Sequence, residues 1–199
     1  MRKFIYLLSA MFLLSSSSVF SQEYFQDVTR TESWYTYWGI GYSSVSYPSE
    51  LQSVIDILDE QDGVTHVSLN LDLLGIYFNV TPKTIAGVII NAVGDRYEMN
   101  GEDFQINQYL YSGSAMHYLG EHFGSGPFLR ADVGLAKLAV TSSSSSSTVT
   151  SDMGFGVLVG GGWSFDFGGT RLLLNVNYTY RGVEDETYNT IGFSVGGLF

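Results

Sequence analysis

The sequence has no cysteine, only three prolines, and nine Lys and Arg against twenty Asp and Glu in 199 residues. Each shortage excludes something. Without cysteine there is no disulfide framework and no thiolate metal site. A formal net charge of −11 leaves no basic patch for a phosphate backbone, so nucleic acid is excluded as a partner. Past Leu14 no apolar run approaches the roughly 18 residues of a transmembrane helix. A chain of this kind that enters a membrane does so with strands.

The beginning stands apart from the rest. MRKFIYLLSAMFLLSSSSVFSQ carries Arg2 and Lys3, an apolar stretch over residues 4–14, then serines, with Val19 and Ser21 at the −3 and −1 positions of a cut before Gln22. This is the layout of a secretory signal peptide, and its apolar stretch is about half of the ~20 residues that a membrane span needs. The expected organisation is a signal peptide at 1–21, a periplasmic lead at 22–32 and one β-barrel at 33–199. Removing Arg2 and Lys3 takes the net charge from −11 to −13.

Glycine and tyrosine, by contrast, are abundant (23 and 14), and from residue 33 onward the dominant period is two. In THVSLNLDLLGIYFNV, Val67, Leu69, Leu71, Leu73 and Tyr77 are placed on one face, with His66, Ser68, Asn70 and Asp72 on the other. A strand alternates its faces, so each such segment reads as an apolar wall backed by a polar one. In RLLLNVNYTYR, Leu172, Leu174, Val176, Tyr178 and Tyr180 oppose Asn175, Asn177, Thr179 and Arg181; in FLRADVGL, Leu129, Ala131, Val133 and Leu135 oppose Arg130, Asp132 and Gly134. Eight segments are expected, at 33–47, 64–80, 84–98, 104–119, 127–141, 153–167, 171–181 and 187–199. The even-numbered connections include tight turns (Thr81-Pro82-Lys83 and Gly168-Gly169-Thr170). The odd-numbered ones, 48–63, 99–103, 142–152 and 182–186, include the longest and most polar.

An even number of strands with short turns at one end and longer loops at the other describes a closed eight-stranded antiparallel transmembrane β-barrel. A soluble barrel or sandwich would show the same alternation with its apolar face inward. Two features favour the membrane. Gly39, Gly41, Gly134, Gly154, Gly156, Gly192 and Gly196 crowd the expected inner face, as a narrow barrel would want. Trp34, Trp38, Tyr77, Tyr109, Tyr111, Tyr178, Tyr180 and Phe199 are expected as interfacial girdles.

The ending NTIGFSVGGLF, with Ile191, Phe193, Val195 and Phe199 on one face, resembles the C-terminal assembly signal of bacterial outer-membrane proteins. Residues 33–199 resemble the small eight-stranded outer-membrane barrel family, of the outer-membrane protein A or porin-like type. The resemblance implies export to the outer membrane of a Gram-negative bacterium and recognition by the barrel-assembly machinery. It also implies contact with outer-membrane lipid and lipopolysaccharide, with the first connection outside the cell.

The interior of an eight-stranded barrel is just wide enough for side chains to fill. The expected lumen set is His66, Asn70, Asp72, Asn91, Asp95, Arg130, Asp132, Asn175, Asn177 and Arg181, with Asp72 and Asp132 paired to Arg130 or Arg181. Such a network either fills the lumen or gates a narrow pore. Placing Asn91 and Asp95 inside also turns Ile89 and Val93 inward and Arg96 outward.

Catalytic signals are thin. His66-Val67-Ser68 matches a His-x-Ser pair, but alternation turns both inward and no third partner follows. His117 and Glu121 are four apart, which on a strand means about 13 Å. Gly160-Gly161-Gly162 lacks the Lys-Ser/Thr of a phosphate loop. The expectation is no enzyme and no cofactor.

PSELQSVIDILDEQD breaks the period of two. Leu51, Val54, Ile55 and Leu58 form a helical stripe, Ser49 and Gln52 match a capping box, and Gly63 can end the helix. A short amphipathic helix is expected in the first loop, its apolar stripe lying on the barrel rim or presenting a partner groove. Glu50, Asp56, Asp59, Glu60 and Asp62, with Glu98, Glu102, Asp103, Glu184, Asp185 and Glu186, make the expected extracellular rim acidic. No spacing among them matches an EF-hand. The serine tract after Thr141 reads as a flexible surface loop.

Overall fold

The computed structural model describes residues 33–61, 63–99, 101–120, 123–143 and 147–199. The expected signal peptide and lead lie outside the described residues, as do Asp62 and Glu121.

Among the described residues nine strands and one helix follow in order: β1 (Trp34–Ser46), α1 (Ser49–Asp59), β2 (Thr65–Thr81), β3 (Thr84–Met99), β4 (Glu102–Tyr118), β5 (Gly126–Ser142), β6 (Ser147–Thr150), β7 (Gly154–Asp166), β8 (Arg171–Val183) and β9 (Glu186–Leu198). All pairings are antiparallel, and the wall runs β1-β2-β3-β4-β5-β7-β8-β9 and back to β1. Eight strands therefore close on themselves. At the seam Tyr37–Ser46 pairs with Asn189–Leu198, and Thr36 and Phe199 exchange backbone bonds of 3.0 and 2.9 Å. A methyl group on Gly41 would collide with the Phe193 carbonyl, so glycine is what lets the two strands meet there.

The polarity of the wall separates the two barrels that alternation left open. In β8 the buried side chains are Arg171, Leu173, Asn175, Asn177, Thr179 and Arg181, while Leu172, Val176, Tyr178 and Tyr180 face out. Along β9 Ile191, Phe193 and Val195 face out, as does Phe199 beyond it, while Thr190 and Ser194 are buried. Polar inside and apolar outside is the reverse of a soluble barrel and suits a hydrocarbon solvent. Between Leu172 and Tyr180 the wall rises about 20 Å, taking ~3.3 Å per residue and the usual tilt.

Three expectations need correction. Tyr77 is not on the outer face: it is fully buried, with its hydroxyl donating to Ser114 Oγ at 2.8 Å. The reason is a bulge. Leu74 takes φ 53°, the β2–β3 register slips between Leu73 and Ile76, and the inward positions change from Ser68, Asn70 and Asp72 to Gly75 and Tyr77. Outside the bulge, Leu74, Val88, Ile90 and Tyr111 border an apolar groove of about 410 Å³.

Secondly, the serine tract is not wholly loop. Ser147–Thr150 forms β6, pairing with Ala139–Ser142 of β5 above the level where β7 joins the wall. Thirdly, two odd-numbered connections are short: β3 ends at Met99 and β4 begins at Glu102, with Gly101 at positive φ, and β8–β9 turns through Glu184 and Asp185, both also at positive φ. The strands simply run further than their patterns suggested.

The helix does form, but Ser49 is not its cap. Pro48 holds that position, and Gln52 Oε1 instead accepts from the Tyr47 N–H at 3.0 Å. Val54 also leaves the expected apolar stripe and faces out.

Candidate functional site: a filled lumen and an acidic mouth

Strands β2 to β5 carry the central ion cluster into the lumen. Arg130 on β5 lies between Asp132, two residues along the same strand, and Asp72 on β2. Its Nη1 and Nη2 donate to Asp72 at 2.9 and 3.0 Å, and its Nε and Nη2 to Asp132 at 3.1 and 2.6 Å. Ser114 Oγ donates to Asp132 at 2.5 Å. All are buried. Two carboxylates around one guanidinium leave a net −1, and a second cation balances it from a distance. Among the described residues Arg181 reaches no carboxylate: its Nη2 donates to Asn91 Oδ1 at 2.6 Å, and its Nη1 makes longer bonds to Gln108 and Thr190. Asn91 in turn donates to Asp72 Oδ1 at 3.0 Å and Asn70 Oδ1 at 2.9 Å. The asparagine joins the two charge centres, and this layer carries two arginines, Arg130 and Arg181, and two aspartates, Asp72 and Asp132. Asn175 Nδ2 donates to the Tyr37 hydroxyl at 2.9 Å. Asn177 is buried near Asn70, both within reach of a side chain placed at Gly192.

Below this layer the lumen is aromatic. Tyr35, Tyr37, Tyr77, Tyr118 and Phe128 pack with Ile85, Ile89, Met116, Leu173 and Leu198. Phe123, from the β4–β5 turn, stacks into the same layer 5.1 Å from Tyr35 and 4.9 Å from Tyr118. The Arg171 guanidinium lies 4.7 Å from the Phe123 ring and 5.2 Å from that of Tyr35. Sequence reading missed this plug because it assigned aromatics to lipid. Parity held the signal: Phe128 shares its face with Arg130, and Tyr118 with Ser114.

The opposite mouth is covered by α1. Ile55 is buried against Tyr47, Tyr97 and Ile106, with Val45, Leu51, Leu58, Phe104, Val140 and Tyr188 around them. Polar contacts fix the edge of this seal. Tyr47 donates to Asp95 Oδ2 at 2.6 Å, and His66 Nε2 meets Asp95 Oδ1 at 2.7 Å. His66 stacks on Tyr97 at 4.2 Å, and its Nδ1 lies 3.6 Å from Asp59 on the helix. Burial and the neighbouring Asp95 charge push the Tyr47 hydroxyl well above its ordinary pKa. His66 therefore sits half-buried at the rim rather than deep in the lumen. Ser68 bonds Ser43 at 2.9 Å instead of His66, so the His-x-Ser spacing brings no nucleophile to a base. His117 faces out and bonds Thr84 at 2.9 Å.

The mouth carries the carboxylates. Glu50, Asp56 and Asp59 are on α1 and Glu60 caps its end; Glu98, Glu102 and Asp103 flank the β3–β4 turn; Glu184 and Asp185 form the β8–β9 turn and Glu186 begins β9. Arg96, outside the wall, is 3.5 Å from Glu98 and 3.6 Å from Asp103. Among the described residues no three His, Asp or Glu side chains gather as a metal site.

No family model and no curated protein matches the chain. Among solved structures it is similar to Neisserial surface protein A, at 16% identity over 84% of this chain and 96% of that one, with a TM-score of 0.55. That likeness shows the fold. Ail, the attachment invasion locus protein of Yersinia pestis, matches at 16% identity over 84% of this chain and 99% of its own, with a TM-score of 0.49. The N-terminal β-barrel domain of Pseudomonas aeruginosa OprF matches at 15% identity over 84% and 98%, with a TM-score of 0.45.

Proposed function

We propose that this chain is an integral outer-membrane protein whose barrel is a closed, non-conducting mount for an acidic surface, and that it is neither a pore nor an enzyme. The observation that carries this reading is the packing of the lumen. An aromatic cluster, an arginine–aspartate layer and the apolar cluster that includes Ile55 of α1 follow one another along the barrel. The apolar outer wall supports the membrane setting. The signal peptide at 1–21 supplies export. The outward row Ile191, Phe193, Val195 and Phe199 is what the barrel-assembly machinery would read, and outer-membrane lipid and lipopolysaccharide are the surroundings of the finished wall. In this orientation α1 and the acidic turns face away from the cell.

A narrow passage is the second reading, and one observation favours it. Asn70 Nδ2, Asn177 Nδ2, Thr179 Oγ1, Ser194 Oγ and Arg181 Nε are buried and find no partner among the described residues, and buried polar atoms of this kind are normally met by water. Planar-bilayer recording of the refolded protein separates the two. The mount predicts a silent bilayer; discrete conductance steps from the wild-type protein would establish the passage and remove the mount.

A further inference from the structure

The helix over the mouth has a second apolar face that covers nothing. Leu51, Ile55 and Leu58 point into the barrel, whereas Val54 and Ile57, one turn apart on the far side, are 51% and 59% exposed. Isolated exposed aliphatics are ordinary. What distinguishes this pair is its surroundings.

Glu50, Asp56 and Glu60 are exposed around it, and α1 contains no Lys or Arg. Asp56 accepts only a neutral bond, from Gln52 at 2.8 Å. Asp59 and Glu60 stand at the helix C-terminus, where the backbone already presents its negative end and a cation would be favoured. The one basic side chain within reach is His66, 3.6 Å from Asp59. Across the mouth Arg96 is already engaged by Glu98 and Asp103, while Glu184, Asp185 and Glu186 add to the field. The outer face of α1 thus pairs an aliphatic patch with carboxylates that the described residues leave largely unneutralised. Its complement in charge and shape is a helix with lysine or arginine beside an apolar stripe.

We propose that the exposed face of α1 binds a cationic amphipathic peptide, its apolar stripe on Val54 and Ile57 and its cations on Asp56 and Glu60. This rests on reading the barrel as a mount that holds its acidic mouth toward the exterior. Acidic glycans and nucleic acid are repelled by the same field, which narrows the partner to a basic polypeptide.

The test uses the full chain refolded into nanodiscs of uncharged phosphocholine lipid, so that the bilayer does not capture the probe. A fluorescent helical Lys/Leu peptide is titrated at low and high salt. Its control is an oligolysine of equal charge. The structure predicts saturable binding that weakens with salt, and a loss of about tenfold for Val54→Ser with Ile57→Ser, from the aliphatic area uncovered. A similar loss is expected for Asp56→Asn with Glu60→Gln. These side chains lie outside the mouth cluster, and an unchanged heat-dependent gel shift for each variant certifies the barrel. Equal binding by either variant, or oligolysine binding as tightly as the amphipathic peptide, overturns the proposal. A heat-shifting, non-conducting protein that ignores the peptide sinks this inference alone; conductance sinks the mount, whatever the peptide does.

Discussion

Replacing Arg130 by methionine keeps most of its volume but leaves Asp72 and Asp132 buried without their cation. Removing one partner of a buried ion pair costs about 3–5 kcal/mol, whereas exchanging a whole set for apolar side chains is often neutral. Arg130→Met is therefore expected to lower the unfolding free energy of the refolded barrel, read from urea titration in micelles, by that amount. Adding Asp72→Leu and Asp132→Leu should recover only part of it, because Arg181 then stays buried without its balancing charge. If the single variant unfolds like wild type, the cluster is not what holds these strands together. The members of this layer were legible in the sequence, because polar residues at every second position of an apolar strand have only the lumen to face. Which arginine takes both aspartates was not legible. That depends on strand stagger around the wall, and it is Asn91, a neutral residue, that ties Arg181 into the layer.

At the scale of elements, the periodic segments gave eight staves with ends near the observed ones, and the departures have local causes. One backbone conformation at Leu74 exchanges the faces of β2, and a leucine is a poor advertisement for positive φ. β6 was hidden because serine and threonine read as loop, yet Ser147–Thr150 needs only the free edge of β5 to pair. The helix was legible from its stripe, but four apolar positions suggested one face where the structure divides them between mouth and exterior. Its seal carries a pH dependence. Because Tyr47 is held well above its ordinary pKa, the folded protein keeps the phenolic proton at pH values where the unfolded chain would release it. The seal's contribution is complete below about pH 10, the free tyrosine value, and is lost as pH climbs beyond it. Limited proteolysis at 48–63 should accelerate at alkaline pH in the wild-type protein. Tyr47→Phe should be cut faster near neutrality, having lost its bond to Asp95, and with a flatter alkaline rise.

For the molecule as a whole, a wall without an edge predicts heat-modifiable migration. Unboiled protein in dodecyl sulfate should run as a compact species and shift on boiling, since the eight strands of the wall close on one another and leave the detergent no open seam at which to begin. Identical migration before and after heating would mean that the ring is not closed in membranes. The seam that closes it also imposes a sequence of events. β1 pairs with β2 nearby and with β9 at the far end of the chain, so one of its edges has no partner until every other stave exists. Contacts this distant form late and slowly. Through that interval β1 would present Trp34, Trp38, Ile40 and Tyr42 beside an open edge, a template for strands of other molecules. The closed ring thus makes the nascent chain dependent on custody: something must hold the first strand apart until the last one arrives.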